Sequence, residues 1–150
     1  ILVGAGIGRY TEWFHEQNAR SVLALDFVKE FIEENERIVQ QRWGEAGVKK
    51  VSTCSYKSLL FIHHILTSNS PPVKILIMDA TKLDTEIEDA SLDLVFSNWL
   101  LMYFTDEDIK QFAQRAHRWL REGGCLFFRE SCLVTVSGCR PNEQSPGHYR

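Results

Sequence analysis

Three glycines at alternate positions, Gly4, Gly6 and Gly8, follow the apolar run Ile1-Leu2-Val3, and the acids Asp26 and Asp79 end two later apolar runs. Glycine lets a chain turn sharply from a buried strand into a helix, and it leaves bare backbone where a ligand lies against it. Together these are the requirements of a cofactor loop. The G-x-G-x-G spacing differs from the G-x-G-x-x-G of dinucleotide-binding loops, which disfavours a nicotinamide-dependent oxidoreductase. Asp26 follows the glycines at close to the ~20-residue offset at which a second strand delivers a carboxylate to a cofactor ribose. A carboxylate can accept hydrogen bonds from both ribose hydroxyls. The alternatives at these positions are a generic strand-to-helix turn and an Asp that starts a helix.

The elements around these residues alternate. Tyr10 to Gln17, with Trp13 and Phe14 and with Thr11 available as an N-cap, suits a helix packed on a sheet. Ser21 to Asp26 suits a short strand, and Val28, Phe31, Ile32, Asn35 and Val39 mark an amphipathic helix whose Glu33, Glu34 and Glu36 form a solvated face. Val73 to Ala80 reads as a buried strand. Ser91 to Asn98 reads as a fourth strand, continued in aromatic form through Trp99 to Phe104. Thr105 and Asp108 form a capping box for a helix faced by Ile109, Phe112, Ala113, Ala116, Trp119 and Leu120 and stopped at Gly123-Gly124. Cys125 to Phe128 is the fifth strand. A glycine loop at one strand end and carboxylates at two others converge on the edge where open α/β sheets bind ligands.

Val51 to Pro72 breaks the alternation with Ser, Thr, paired His and Pro71-Pro72, and reads as an insertion at 51–72. On a helix the adjacent His63 and His64 would diverge by ~100° and could not share a metal, so no metal is expected. Cys54, Cys125, Cys132 and Cys139 contain no C-x-x-C pair and read as reduced, packing thiols of a cytoplasmic protein, with a Cys132–Cys139 redox pair as the alternative. At 150 residues, 44% hydrophobic and 25% charged, the chain has the length of one domain. A net charge of -3 gives no basic field for nucleic acid. No apolar run approaches the ~20 residues of a membrane span. Opening on Ile1 within an expected strand suggests that the N-terminus is cut.

The glycine loop resembles the first motif of class I S-adenosylmethionine (AdoMet) methyltransferases. Asp93-Leu94-Val95-Phe96-Ser97-Asn98-Trp99-Leu100-Leu101-Met102-Tyr103, Phe127-Phe128-Arg129-Glu130-Ser131-Cys132 and His148-Tyr149-Arg150 resemble the phosphoethanolamine N-methyltransferases, in the domain that performs the first methylation. The resemblance covers nearly the whole chain apart from Val51 to Pro72, and implies a Rossmann-like three-layer α/β/α sandwich on a mostly parallel sheet, truncated at both ends. It implies methyl transfer from AdoMet to the amine of phosphoethanolamine, toward phosphocholine.

The same resemblance assigns Gly4, Ala5, Gly6, Gly8 and Arg9 to the AdoMet loop, Asp26 and Phe27 to the ribose side, Asp79 and Ala80 to the adenine and Asn98 to the methionine end. Ser131 and Tyr149 match positions that hold the phosphobase, and Tyr103 lies where relatives have a catalytic aromatic or imidazole side chain. Trp99 can face a cationic nitrogen through its ring, and Arg140 and Arg150 can donate to phosphate. Leu2 stands where the family has an acid. The expected partners are a small-molecule substrate and a second methyltransferase domain or polypeptide. The alternatives are a methyltransferase of another small amine or acid, and a truncated AdoMet-binding module without turnover.

Overall fold

The computed structural model describes residues 1–17, 19–44, 48–51, 73–83 and 87–130. Its strands are β1 (Leu2–Val3), β2 (Val22–Asp26), β3 (Val48–Val51), β4 (Val73–Ile77), β5 (Leu92–Asn98) and β6 (Leu120–Arg129). Its helices are α1 (Arg9–Glu16), α2 (Lys29–Trp43) and α3 (Asp106–Trp119), with 3-10 turns at Ala80–Lys82 and Leu101–Tyr103. The strands form one sheet in the order β3-β4-β2-β1-β5-β6, and every neighbouring pair is parallel. From β1 the chain first builds outward through β2, then returns to the other side of β1 with β5. The crevice of such a sheet opens at the carboxyl ends of the strands beside that reversal.

Period-two side-chain alternation divides the core into two layers. Val22 and Ala24 pack with Leu2, Ile32, Val39, Val73, Ile75 and Phe96 beneath α1 and α2. Leu23 and Leu25 point the other way and pack with Val3, Leu76, Val95, Phe112, Ala116 and Trp119 beneath α3. This is the expected α/β/α arrangement. Leu25, Ile32 and Trp119 are essentially fully buried, each stabilising the fold by about 1.5–3 kcal/mol.

Local structure departs from the sequence expectation at identifiable places. Helix α1 begins at Arg9 behind Gly8, whose φ of 99° is left-handed, so Thr11 is not the cap. Thr11 is buried instead, and its Oγ1 accepts a 3.1 Å hydrogen bond from Asn35 Nδ2. Strand β5 ends at Asn98 because Trp99 adopts a φ of 52°, and a 3-10 turn replaces the expected continuation through Phe104. Helix α3 ends at Trp119, four residues before the glycine pair, and β6 starts at once. Between Leu92 and Leu94 the β5–β6 register jumps from Leu120 to Cys125, so the Arg121–Gly124 stretch bulges out of the ladder.

The Thr105–Asp108 capping box forms as expected. Phe31 and Ala113, read as core positions, are exposed, whereas Arg115 is buried. Cys125 is exposed rather than packed. Strand β3 was not anticipated, since its Val-Lys-Lys-Val sequence is short and charged; the rest of the 51–72 segment lies outside the described residues.

Candidate active site

A cleft of about 620 Å³ opens at the carboxyl ends of the strands, between the glycine loop, the β2 and β4 ends, and the 98–104 segment after β5. The loop that frames it is fixed from three sides. Ala5 N–H donates to Leu25 O at 2.9 Å. Gly6 N–H donates to Asp26 Oδ2 at 2.9 Å, while Asp26 Oδ1 accepts from Val28 N–H at the same distance. Asn35 Nδ2 reaches Gly6 O at 3.4 Å from α2. A Cβ on Gly8 would stand 2.5 Å from Asn35 Oδ1, so only glycine lets α1 and α2 approach this closely. A Cβ on Gly6, by contrast, would meet nothing within 4 Å; that position is open toward the cleft it lines.

Of the residues singled out from sequence, the fold brings Gly4, Gly6, Asp26, Phe27, Asp79, Ala80, Asn98, Trp99 and Tyr103 to this one cleft. Ala5, Gly8 and Arg9 are not on its wall. Ala5 and Gly8 are buried beneath the loop and Arg9 points to solvent. Ser131, Arg140 and Tyr149 lie outside the described residues.

Sequence reasoning did not assign Phe31, Val28, Thr81 or Leu100 to the wall, yet all four line it. Phe31 could have been found by asking which aromatic of α2 sits one turn beyond Phe27 and would face the same ligand. Asn35, read as one position of an apolar stripe, is a fully buried amide that ties α1, α2 and the loop together.

The wall is rich in acceptors and aromatics. Phe27, Phe31, Trp99 and Tyr103 are large apolar rings left in solvent, a cost that a stacked ligand would remove. Asn98 Oδ1 is buried with no hydrogen-bond partner among the described residues, an arrangement that calls for a donor. Asp79 accepts from Thr81 N–H at 3.0 Å and Thr81 Oγ1 at 2.7 Å, and pairs with Lys82 at 3.2 Å. Partial burial works to raise its pKa, but the Thr81 hydrogen bonds and the Lys82 charge outweigh it and hold the carboxyl below its ordinary value. Trp99 N–H donates to Arg129 O at 2.9 Å, and the Arg129 guanidinium lies 5.8 Å over the Trp99 ring while donating to the Tyr10 hydroxyl. The Tyr103 hydroxyl makes no hydrogen bond among the described residues, and its ring is exposed. A second cleft, about 770 Å³, lies at the opposite end of the strands around Ile1, Ser21 and Asp93; it contains none of the loop or its carboxylates.

The family profile described as "Methyltransferase domain" matches residues 1–128 of this chain. The chain belongs to that methyltransferase family. Among curated relatives, the methyltransferase is 38% identical over 150 residues to phosphoethanolamine N-methyltransferase 1 of Arabidopsis thaliana, and 37% identical to phosphoethanolamine N-methyltransferase of Triticum aestivum. It is 34% identical to phosphoethanolamine N-methyltransferase 1 of Caenorhabditis elegans. It is covered fully in these matches and spans about a quarter of its relatives' length, 24% of the two plant proteins and 26% of the nematode one. Among solved structures, a SAM-dependent methyltransferase of Leishmania major aligns with a TM-score of 0.60 at 23% identity, over 87% of this chain and 42% of that one. An S-adenosylmethionine-dependent methyltransferase of Mesorhizobium loti aligns equally well, with a TM-score of 0.60 at 20% identity, over 87% and 45%. These likenesses establish the Rossmann-like class I methyltransferase fold.

The cofactor of this methyltransferase is AdoMet, and the cleft suits it. AdoMet is a cation that carries an ammonium, two ribose hydroxyls and a purine amine, all hydrogen-bond donors. The wall presents carboxylates, the unpaired Asn98 Oδ1 and exposed rings. Among the described residues no helix is long and apolar enough to cross a membrane.

Proposed function

We propose that this methyltransferase domain transfers the AdoMet methyl group to the amine of phosphoethanolamine, a step toward phosphocholine. One observation carries the reading. The likeness to phosphoethanolamine N-methyltransferases, at 34–38% identity, extends over essentially the whole chain, the residues that line the cleft among them. Residues 1–150 then form one methyltransferase domain with an insertion at 51–72.

On this reading Gly4 and Gly6 leave room for the cofactor, and Gly8, Ala5 and Arg9 shape the loop beneath it. Asp26 accepts from the ribose, with Phe27 beside it. Asp79 and Ala80 border the adenine, and Asn98 Oδ1 accepts from the methionine ammonium. AdoMet held by these residues would supply an electrophilic methyl carbon on a positively charged sulfur, with the deprotonated amine of the substrate as its acceptor. The protein's share is to align and to exclude water. A primary ammonium resembles lysine, with a pKa near ~10, so it must lose a proton before its lone pair can react. Tyr103 orients the amine through its hydroxyl, the Trp99 ring faces the cationic nitrogen, and Ser131, Arg140 and Tyr149 donate to the phosphate.

Incubation with methyl-labelled AdoMet tests the reading. Label should enter phosphoethanolamine but not free ethanolamine, because the phosphate is read. Entry into ethanolamine alone would move the substrate to another amine. AdoMet binding with no incorporation into either would favour a passive cofactor-binding module.

A further inference from the structure

Helix α2 buries an amide where its packing calls for a hydrocarbon. Ile32, Asn35 and Val39 form its fully buried stripe, and asparagine is a residue that mostly stays in water. Asn35 Nδ2 donates to Thr11 Oγ1 at 3.1 Å and to Gly6 O at 3.4 Å. Its Oδ1 is buried with no hydrogen-bond partner among the described residues. A half-satisfied amide is a poor choice for stability alone, because the unpaired oxygen has lost water and gained nothing in its place. An apolar side chain of similar shape would fill the stripe without that cost.

What the amide touches explains its place. The peptide groups on either side of Gly6 are held separately: the one before it by Asp26, through Gly6 N–H at 2.9 Å, and the one after it by Asn35, through Gly6 O. A glycine held on one side only keeps much of its rotational freedom; held on both, it is fixed at its φ of 56°. The same side chain packs against Gly8, where a Cβ would meet Oδ1 at 2.5 Å. The two anchors of Gly6 differ in one respect. Asp26 lines the cleft, whereas Asn35 does not and is wholly buried, so any effect of Asn35 on a ligand passes through the loop.

We propose that Asn35 is a positioning residue for the cofactor: by holding Gly6 O from α2, it sets the glycine loop in its binding conformation before AdoMet arrives. The proposal rests on AdoMet occupying the cleft that Gly6 lines. A loop ordered in advance loses less conformational entropy when the ligand binds, so affinity rises without a direct contact. Thr11 joins the same amide to α1 and is not needed for the hold on Gly6.

Calorimetric titration of AdoMet into the protein and into Asn35→Leu, Asn35→Ser and Thr11→Val tests this, with denaturant unfolding beside it so that only folded protein is compared. Leucine keeps the shape of the amide but cannot donate, and serine is too short to reach Gly6 O. Both should weaken AdoMet binding by ~5–10-fold. In both, the Gly6 N–H should exchange with solvent faster than in the unaltered free protein, and its protection should return at saturating AdoMet. Thr11→Val removes the α1 partner, leaves Gly6 O bonded, and should keep the affinity within about twofold. An equal loss in Thr11→Val would make Asn35 a helix-packing residue and overturn the proposal, as would unchanged affinity in either Asn35 variant. Should neither Asn35 variant fold, the unaltered protein decides: the Asn35 side-chain amide protons should already exchange slowly without ligand, and protection that arises only on adding AdoMet would refute the proposal. Failure of the unaltered protein to bind AdoMet would overturn the cofactor reading of the cleft, and the proposal with it, whatever the exchange rates.

Discussion

The Gly6 backbone N–H donates a 2.9 Å hydrogen bond to Oδ2 of Asp26, across the gap between the glycine loop and the carboxyl end of β2. The carboxylate's other oxygen holds Val28 N–H, so one side chain sets both the loop and the start of α2. Asp26 lines the cleft, and each of its oxygens can accept a further hydrogen bond.

Asp26→Ala should accordingly weaken AdoMet binding by ~1–3 kcal/mol, about 5–150-fold, through loss of charge-assisted hydrogen bonds. Asp26→Asn, which keeps one carbonyl oxygen, should fall between. Calorimetry checks both, and an unchanged affinity in the alanine form would remove Asp26 from the site.

Two glycines of one loop should fail in different ways. Gly8→Ala puts a Cβ against Asn35 at a φ of 99°, so it should lower stability by ~2–4 kcal/mol in denaturant unfolding. Shortening the neighbour should relieve part of this, making Gly8→Ala with Asn35→Ala less than additive by ~1 kcal/mol. At Gly6 a Cβ meets no protein atom. Gly6→Ala should cost only the ~1–2 kcal/mol of left-handed strain yet impair AdoMet binding more than Gly8→Ala does when both are compared as folded protein. Equal effects on both quantities would contradict this division.

Acid should expose the Asp79 turn. Burial works against ionisation there, but the Thr81 hydrogen bonds and Lys82 outweigh it and hold the folded pKa below the usual 3.8. A depressed carboxylate contributes stability that is complete above its unfolded pKa and lost as pH falls through the folded one. Unfolding free energy should therefore drop below about pH 4. In Asp79→Asn the neutral-pH stability should be lower and this part of the acid limb shallower. A parallel curve for the variant would mean that the turn contributes nothing.

Much of this arrangement was legible in the sequence, for physical reasons. β2 and β4 are buried on both faces and read as apolar runs, interrupted only by Lys74, that lead to Asp26 and Asp79. The glycines mark a loop because positive φ values such as theirs strain residues that carry a Cβ. What stayed hidden depends on contacts between distant segments. Asn35 keeps the helical period of an apolar stripe, so its amide looked like a core position until Thr11 and Gly6 were placed beside it. Trp99 to Phe104 continues an aromatic pattern suited to a strand, and only a positive φ at Trp99, pinned by Arg129 O, ends it. Phe31 matched the buried stripe of α2, but the cleft lies where its ring points. Glu130 stood in the Phe127 to Cys132 motif with no contact assigned, since its hydrogen bond comes from Leu100, 30 residues earlier.

The location of the methyl donor is tested most directly by titrating AdoMet into isotope-labelled protein and following the backbone amide resonances. The largest shifts should fall on Gly6, Val28, Thr81 and Leu100, around the cleft at the carboxyl ends of the strands. Shifts gathered instead on Ser21, Leu92 and Asp93, beside the cleft at the other end, would contradict the account.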